Sequence, residues 1–120
     1  MKRIYVAGAY SANTTRGSLQ NVGRGIRQAL EVQRAGHSPF VPWEDCLRYI
    51  AAAAAGLPIF GEPIESVYER SMQWLEVSHA VLLTPGHEKS RGTKAEIDNA
   101  LALGIPVFSS LHDLKQAVET

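Results

Sequence analysis

Pro85-Gly86-His87-Glu88-Lys89-Ser90-Arg91-Gly92-Thr93-Lys94-Ala95-Glu96 joins two segments of plain character. Upstream is Ala80-Val81-Leu82-Leu83-Thr84, the most strand-like run in the chain. Downstream a helical pattern runs to Gly104, followed by the short strand Pro106-Val107-Phe108. Strand, polar glycine-containing turn, helix, strand is the order of a βαβ unit. Ligands of such folds bind at the carboxyl ends of the strands, where this turn lies. Ser90, Gly92 and Glu96 are therefore expected around the mouth of a site, with Glu96 in the first turn of its helix.

Glu96 admits two roles. The positive end of a helix favours an ionised carboxylate, and an ionised carboxylate beside exposed backbone N–H groups is a nucleophile or a general base. Thr93-Lys94-Ala95-Glu96 also has the spacing of a capping box, in which Thr93 caps the helix and Glu96 reaches back to the cap N–H. Both roles put Glu96 at the start of the helix.

The 120 residues suffice for one domain, 1–120, and not for two ordinary ones. Twelve basic residues balance twelve acidic ones, so no charge surplus points to nucleic acid. The lone Cys46 excludes an internal disulfide and a multi-cysteine zinc site, suits a reducing compartment, and reads as a small packed side chain. His37, His79, His87 and His112 lack metal-ligand spacing, so neither a metal nor a cofactor is expected. No apolar run approaches the ~20 residues of a membrane span. Met1-Lys2-Arg3 resembles the basic start of a signal peptide, but the apolar part that follows breaks at Gly8. A cytoplasmic protein away from membranes is the expectation.

From the amino end, Ile4-Tyr5-Val6-Ala7 reads as a first, central strand that stops at Gly8. The polar loop Gly8–Gly17 at its carboxyl end is of the kind that cradles phosphates or sugars with N–H groups and hydroxyls. Gly23-Arg24-Gly25 lacks the third glycine of a dinucleotide fingerprint. Leu19 to Ala35 is predicted helical, with Val22, Ile26, Ala29, Leu30 and Gln33 inward and Gly36 closing it. Arg16, Arg24 and Arg27 read as solvated charges, Arg16 being the best placed to meet an anion. Ser38 to Val41 is a second strand stopped by Pro42. Trp43, at its carboxyl end, either stacks on a flat base or covers the core. A helix over Leu47 to Ala55 gives way to an irregular flap, Gly56 to Pro63. Ile64 to Val77 is helical, with Ile64, Val67, Tyr68, Met72, Trp74 and Leu75 inward, and Leu111 to Val118 is the last helix.

Four strands alternating with helices give an α/β, doubly wound, flavodoxin-like (Rossmann-like) domain. Right-handed crossovers make the sheet parallel, with helices on both faces. The expected strand order is 2-1-3-4, with the site where the order reverses, between the first and third strands.

Ile4-Tyr5-Val6-Ala7-Gly8, Leu83 to Gly92, Ser90-Arg91-Gly92-Thr93-Lys94-Ala95-Glu96 and Ala100-Leu101-Ala102-Leu103-Gly104-Ile105-Pro106-Val107 together resemble the nucleoside 2-deoxyribosyltransferase superfamily. The likeness is strongest to an uncharacterised branch common in bacteria and phages, similar to 2′-deoxynucleoside 5′-phosphate N-hydrolases. It covers most of the chain and is weakest over residues 47–62. It implies the same doubly wound fold and cleavage of an N-glycosidic bond by a glutamate that attacks the anomeric carbon, then transfer of the sugar to another base or to water. Glu96 matches that nucleophile, and Tyr5 matches a first-strand tyrosine that orients it. Six residues before the glutamate the transferases carry an aspartate for the sugar 5′-hydroxyl and the hydrolases a serine. Ser90 stands there, beside Arg91 and a helix N-terminus, which favours a 5′-monophosphate.

The pattern departs at Arg70-Ser71, where the family has an Arg-Asp pair whose aspartate helps protonate the departing base. Serine is a poor acid at neutral pH. Glu69 or Asp45 could replace the missing aspartate by position, though neither matches the motif. The hydrolases' phosphate-binding arginine has no match in the first loop, where Ser11 falls. The enzyme reading, a nucleoside or nucleotide N-glycosidase or deoxyribosyltransferase, therefore stands beside a non-catalytic nucleotide-binding domain of the same fold. The resemblance also implies a homo-oligomer, dimer or larger, whose partner is a small nucleoside or nucleotide and not a nucleic acid. Expected site residues are Glu96 and Tyr5 for catalysis and Gly8, Ser11, Trp43, Ser90, Arg91 and Gly92 for binding.

Overall fold

The computed structural model describes residues 1–10 and 13–118, without the side chains of 45 and 46. In chain order the elements are β1 (Arg3–Ala7), α1 (Thr15–Arg34), β2 (Ser38–Phe40), α2 (Asp45–Ala54), α3 (Ile64–Glu76), β3 (Ala80–Leu83), α4 (Arg91–Ala102), β4 (Val107–Phe108) and α5 (Leu111–Val118). One-turn 3-10 segments sit at Pro42–Glu44 and His87–Lys89. The sheet order is β2-β1-β3-β4 and every neighbouring pair is parallel. This is the expected doubly wound arrangement, with the reversal between β1 and β3.

Alternation along β1 explains why helices cover both faces. Ile4 packs with Val32 of α1, Ala80 and Leu82 of β3, and Leu114 of α5. Val6, on the same face, packs with Ala29, Val41 and Trp43. Tyr5 and Ala7 point the other way, onto Leu75 of α3, Ala100 of α4, Val81 and Leu83. A strand buried on both faces must be apolar throughout, as Ile4 to Ala7 is. Where β1 ends, the Thr84 N–H donates to the Ala7 carbonyl at 2.8 Å. A Cβ on Gly8 would stand 1.7 Å from Thr84 Oγ1 and 2.9 Å from Thr84 Cβ. Only glycine lets the ends of β1 and β3 close together at the reversal point.

Three helical expectations are corrected. α1 begins at Thr15 and not at Leu19, because Thr14 caps it by accepting from the Gly17 N–H at 3.0 Å. Its inward stripe is Val22, Gly25, Ala29 and Val32, while Leu30 is 57% exposed. The turn of the helix is set by Gly25, where a Cβ would meet the Trp43 ring at 3.1 Å and Val41 at 3.3 Å, so the smallest residue faces the largest. On α3, Leu75 and Ser71 are buried, and Ile64, Tyr68 and Trp74 are exposed. Ser71 takes the inward place because its hydroxyl is satisfied within the helix, donating to the Val67 carbonyl at 3.1 Å.

α2 and the irregular stretch 55–63 leave Leu47, Ile50, Leu57, Ile59 and Phe60 exposed, Phe60 at 73%. The molecule is elongated accordingly, 47 Å against 28 Å and 26 Å. No described helix is long and apolar enough to cross a membrane.

Candidate functional site

A cavity of about 950 Å³ opens at the carboxyl ends of β1 and β3. Its walls come from the loop after β1, the turn after β2, the flap, α3 and the start of α4. Of the expected site residues, Gly8, Trp43, Ser90, Arg91, Gly92 and Glu96 all line it. Tyr5 lies beneath, fully buried. Ser11 falls outside the described residues, as does the side chain of Asp45.

The start of α4 differs from the expected capping box. Ser90 is the N-cap, and its hydroxyl accepts from the Thr93 N–H at 3.2 Å. Glu96 is therefore the sixth residue of α4, counting Arg91 as the first, and not in the first turn. Its carboxyl accepts a hydrogen bond from the Tyr5 hydroxyl and not from the cap. Burial pushes the Glu96 pKa up to about 7, against a smaller lowering by the Tyr5 bond. Desolvation thus outweighs the helix end, which acts only within its first turn. A carboxyl titrating near neutrality at the mouth of a switch-point cavity is suited to proton transfer or attack.

Thr93 is fully buried, lines the cavity and presents an Oγ1 without a hydrogen-bond partner among the described residues. With the Ser90 cap and the first turn of α4 it makes a polar end to the cavity. Lys89 and Arg91 flank that end. Charged residues on the lining are Arg24, Arg70, Lys89 and Arg91 against Glu62 and Glu96, a net excess of positive charge that suits an anion.

Trp43 covers the core, as one of its two expected roles has it, and its ring also borders the cavity. It is 8% exposed and stacks on Tyr10 at 6.4 Å and 25°. Of the arginines on α1, Arg24 lines the cavity, together with Asn21, and Arg16 is not on the described lining. Arg24 Nη1 donates to Asn21 Oδ1 at 2.8 Å, and Asn21 Nδ2 donates to the Tyr10 carbonyl at 2.9 Å. A cation three residues after a side-chain acceptor on one helix face was the available signal.

Glu69 is corrected as a substitute for the missing aspartate: it is exposed and lies off the lining, because α3 turns Val67, Arg70 and Ser71 to the cavity instead. The carboxylate that does line the α3 side is Glu62, from the flap. It accepts from Arg70 Nη1 through Oε2 and from the Tyr49 hydroxyl through Oε1 at 3.0 Å. Among the described residues no three His, Cys, Asp or Glu side chains gather as a metal ion would need.

No family model and no curated protein matches the chain. A solved structure does. It is a 2-deoxyribosyltransferase from the psychrotolerant bacterium Bacillus psychrosaccharolyticus, described as a biocatalyst for the synthesis of antiviral and antitumoral nucleosides. The match has a TM-score of 0.59 at 20% identity and covers 88% of this chain and 69% of that one. The two share a fold. The deoxyribosyltransferase fold puts the cavity, the Tyr5–Glu96 pair and the α4 N-terminus at the sheet edge where α/β ligands bind.

Proposed function

We propose that the protein cleaves or transfers the N-glycosidic bond of a (2′-deoxy)nucleoside 5′-monophosphate, with Glu96 as nucleophile. The observation that carries this is the Glu96 carboxyl, buried at the cavity and bonded to Tyr5 of the central strand, in a chain with the deoxyribosyltransferase fold. A carboxylate oxygen attacks the anomeric carbon, and the glycosyl ester is then released to water or to a second base. Tyr5 holds the attacking oxygen in place. Ser90, Arg91, Thr93 and the amides of the first α4 turn receive the 5′-phosphate. Trp43 offers the flat wall for a base. Membership of the nucleoside 2-deoxyribosyltransferase superfamily, near its nucleotide hydrolases, follows from the same reading, and a cytoplasmic location suits a nucleotide substrate.

A second reading is a nucleotide-binding domain without turnover. It is favoured by Ser71, whose hydroxyl is turned back onto Val67 and supplies no acid for the leaving base. Mass spectrometry of incubations with common ribo- and deoxynucleosides and their 5′-monophosphates separates the two. The expected result is base release from 5′-monophosphates at least about tenfold faster than from the nucleosides, reversed by Ser90→Asp, which sets a carboxylate against the phosphate. Exchange on adding a free base marks transfer; base release alone marks hydrolysis. Nucleotide retained without turnover supports the binding domain.

The same reading includes a homo-oligomer. Leu47 and Ile50 of α2 and Leu57, Ile59 and Phe60 of the stretch after it are large apolar side chains left exposed, of the kind that a contact surface covers. Phe60→Asp is expected to lower the mass measured by sedimentation toward that of the 13.1 kDa chain while leaving the secondary structure intact. A wild-type protein that sediments as a monomer rejects the oligomer.

A further inference from the structure

We propose that Arg70, clasped by Glu62, takes up the negative charge of the departing base, so that the preferred substrates carry bases that leave as anions, of the uracil and thymine type. This rests on the glycosidic reading above. Arg70 reaches the cavity from α3 and its side chain is 40% exposed. One of its donors holds Glu62, and Glu62 is held in turn by Tyr49 of α2. The clasp ties the flap and α2 to α3 and fixes the plane of a guanidinium that carries five donors. Ser71, next along the helix, has its hydroxyl bonded to the Val67 carbonyl.

Glu62 is a positioning residue. The Arg70 guanidinium beside it holds its carboxyl below the usual carboxylate range, so at neutral pH it stays ionised. Arg70 is the group that meets the base. A guanidinium does not give up its proton at neutral pH, so it stabilises charge where an aspartic acid would protonate.

In the step, a Glu96 carboxylate oxygen bonds to C1′ as the C1′–N bond breaks. The bonding pair leaves on the base nitrogen. Glu96 loses its charge in the ester and the base gains it; water later supplies the proton that turns the base anion into the free base. A 2,4-dioxopyrimidine spreads that charge over two carbonyl oxygens that accept from a guanidinium. Adenine has no carbonyl and leaves readily only when protonated, for which Arg70 supplies nothing.

The test is base release by the full-length protein from the 5′-monophosphates of 5-fluoro-2′-deoxyuridine, 2′-deoxyuridine, thymidine and 2′-deoxyadenosine. Wild type, Arg70→Met, Glu62→Gln and Glu96→Ala are compared. The dioxopyrimidines are expected to outrun adenine in the wild type. Arg70→Met is expected to lose about 10²-fold with uracil and thymine and distinctly less with 5-fluorouracil, the better leaving group. Glu62→Gln, which keeps the shape of the clasp, is expected to lose less with the same ordering, and it carries the test if Arg70→Met does not fold. Equal losses across the series, or a wild type that prefers adenine, overturn the proposal alone, provided Glu96→Ala abolishes release. No release by the wild type from any of the four overturns the glycosidic reading, and this proposal with it.

Discussion

Glu96→Ala is expected to lower base release by roughly 10³-fold or more while leaving the fold intact, because it removes the atom proposed to attack C1′. The pH dependence of the wild type supplies the second half of this prediction. Only the ionised carboxylate attacks, and burial raises the Glu96 pKa to about 7. The rate constant kcat/KM is therefore expected to climb as pH rises through about 7 and to level off above it. The Tyr5 hydrogen bond lowers that pKa against the burial. Tyr5→Phe should thus move the rising limb to higher pH and slow the reaction most on its acid side. Initial rates of base release across pH for the three proteins check this. A profile flat from about pH 5 to about pH 9, or an alanine variant that still turns over, would remove Glu96 from the attacking role.

The parts of the molecule legible in the sequence are those fixed by repeating patterns. Ile4 to Ala7 is apolar at every position, which marks a strand covered on both sides, and short β–α alternation leaves few topologies once crossovers are right-handed. The observed order, β2-β1-β3-β4, is one of those few. The Tyr5–Glu96 bond joins residues 91 apart in sequence, and no spacing rule reaches so far; only the family resemblance brought the two together. The α4 cap was illegible for a local reason. Ser90 and Thr93 are both good caps three residues apart, and what separates them is that Thr93 is buried on the inner face of the helix. The face of α1 was misjudged because hydrophobicity ranks Leu30 above Gly25, whereas packing against Trp43 requires the smaller residue. Glu62 lies in a stretch with no periodicity, and its neighbours Tyr49 and Arg70 come from two different helices, so only the folded chain reveals the clasp.

Glu96→Gln is expected to make the protein more stable than the wild type at pH 8, by about 3 kcal/mol, and by less than about 1 kcal/mol at pH 5. In the unfolded chain Glu96 titrates near 4.5; in the fold it titrates at about 7. Between those values the folded state holds a proton that the unfolded state has released, so stability falls as pH rises through this window. Below about 4.5 both states are protonated and the contribution is fully present; above about 7 it is lost. The difference of about 2.5 pKa units, at 1.36 kcal/mol each, sets the scale. Glutamine is neutral throughout, keeps an oxygen for the Tyr5 hydroxyl and avoids the cost of a buried charge. Urea unfolding of both proteins at the two pH values reads the effect directly, and a gap that does not widen with pH would refute it. The outcome also bears on function. A carboxylate kept for capping would stabilise the fold when ionised, and its amide would weaken it. A carboxylate whose ionised form costs stability is retained for its chemistry, so gain of stability together with loss of turnover in Glu96→Gln is the signature of a nucleophile held poised by its own burial.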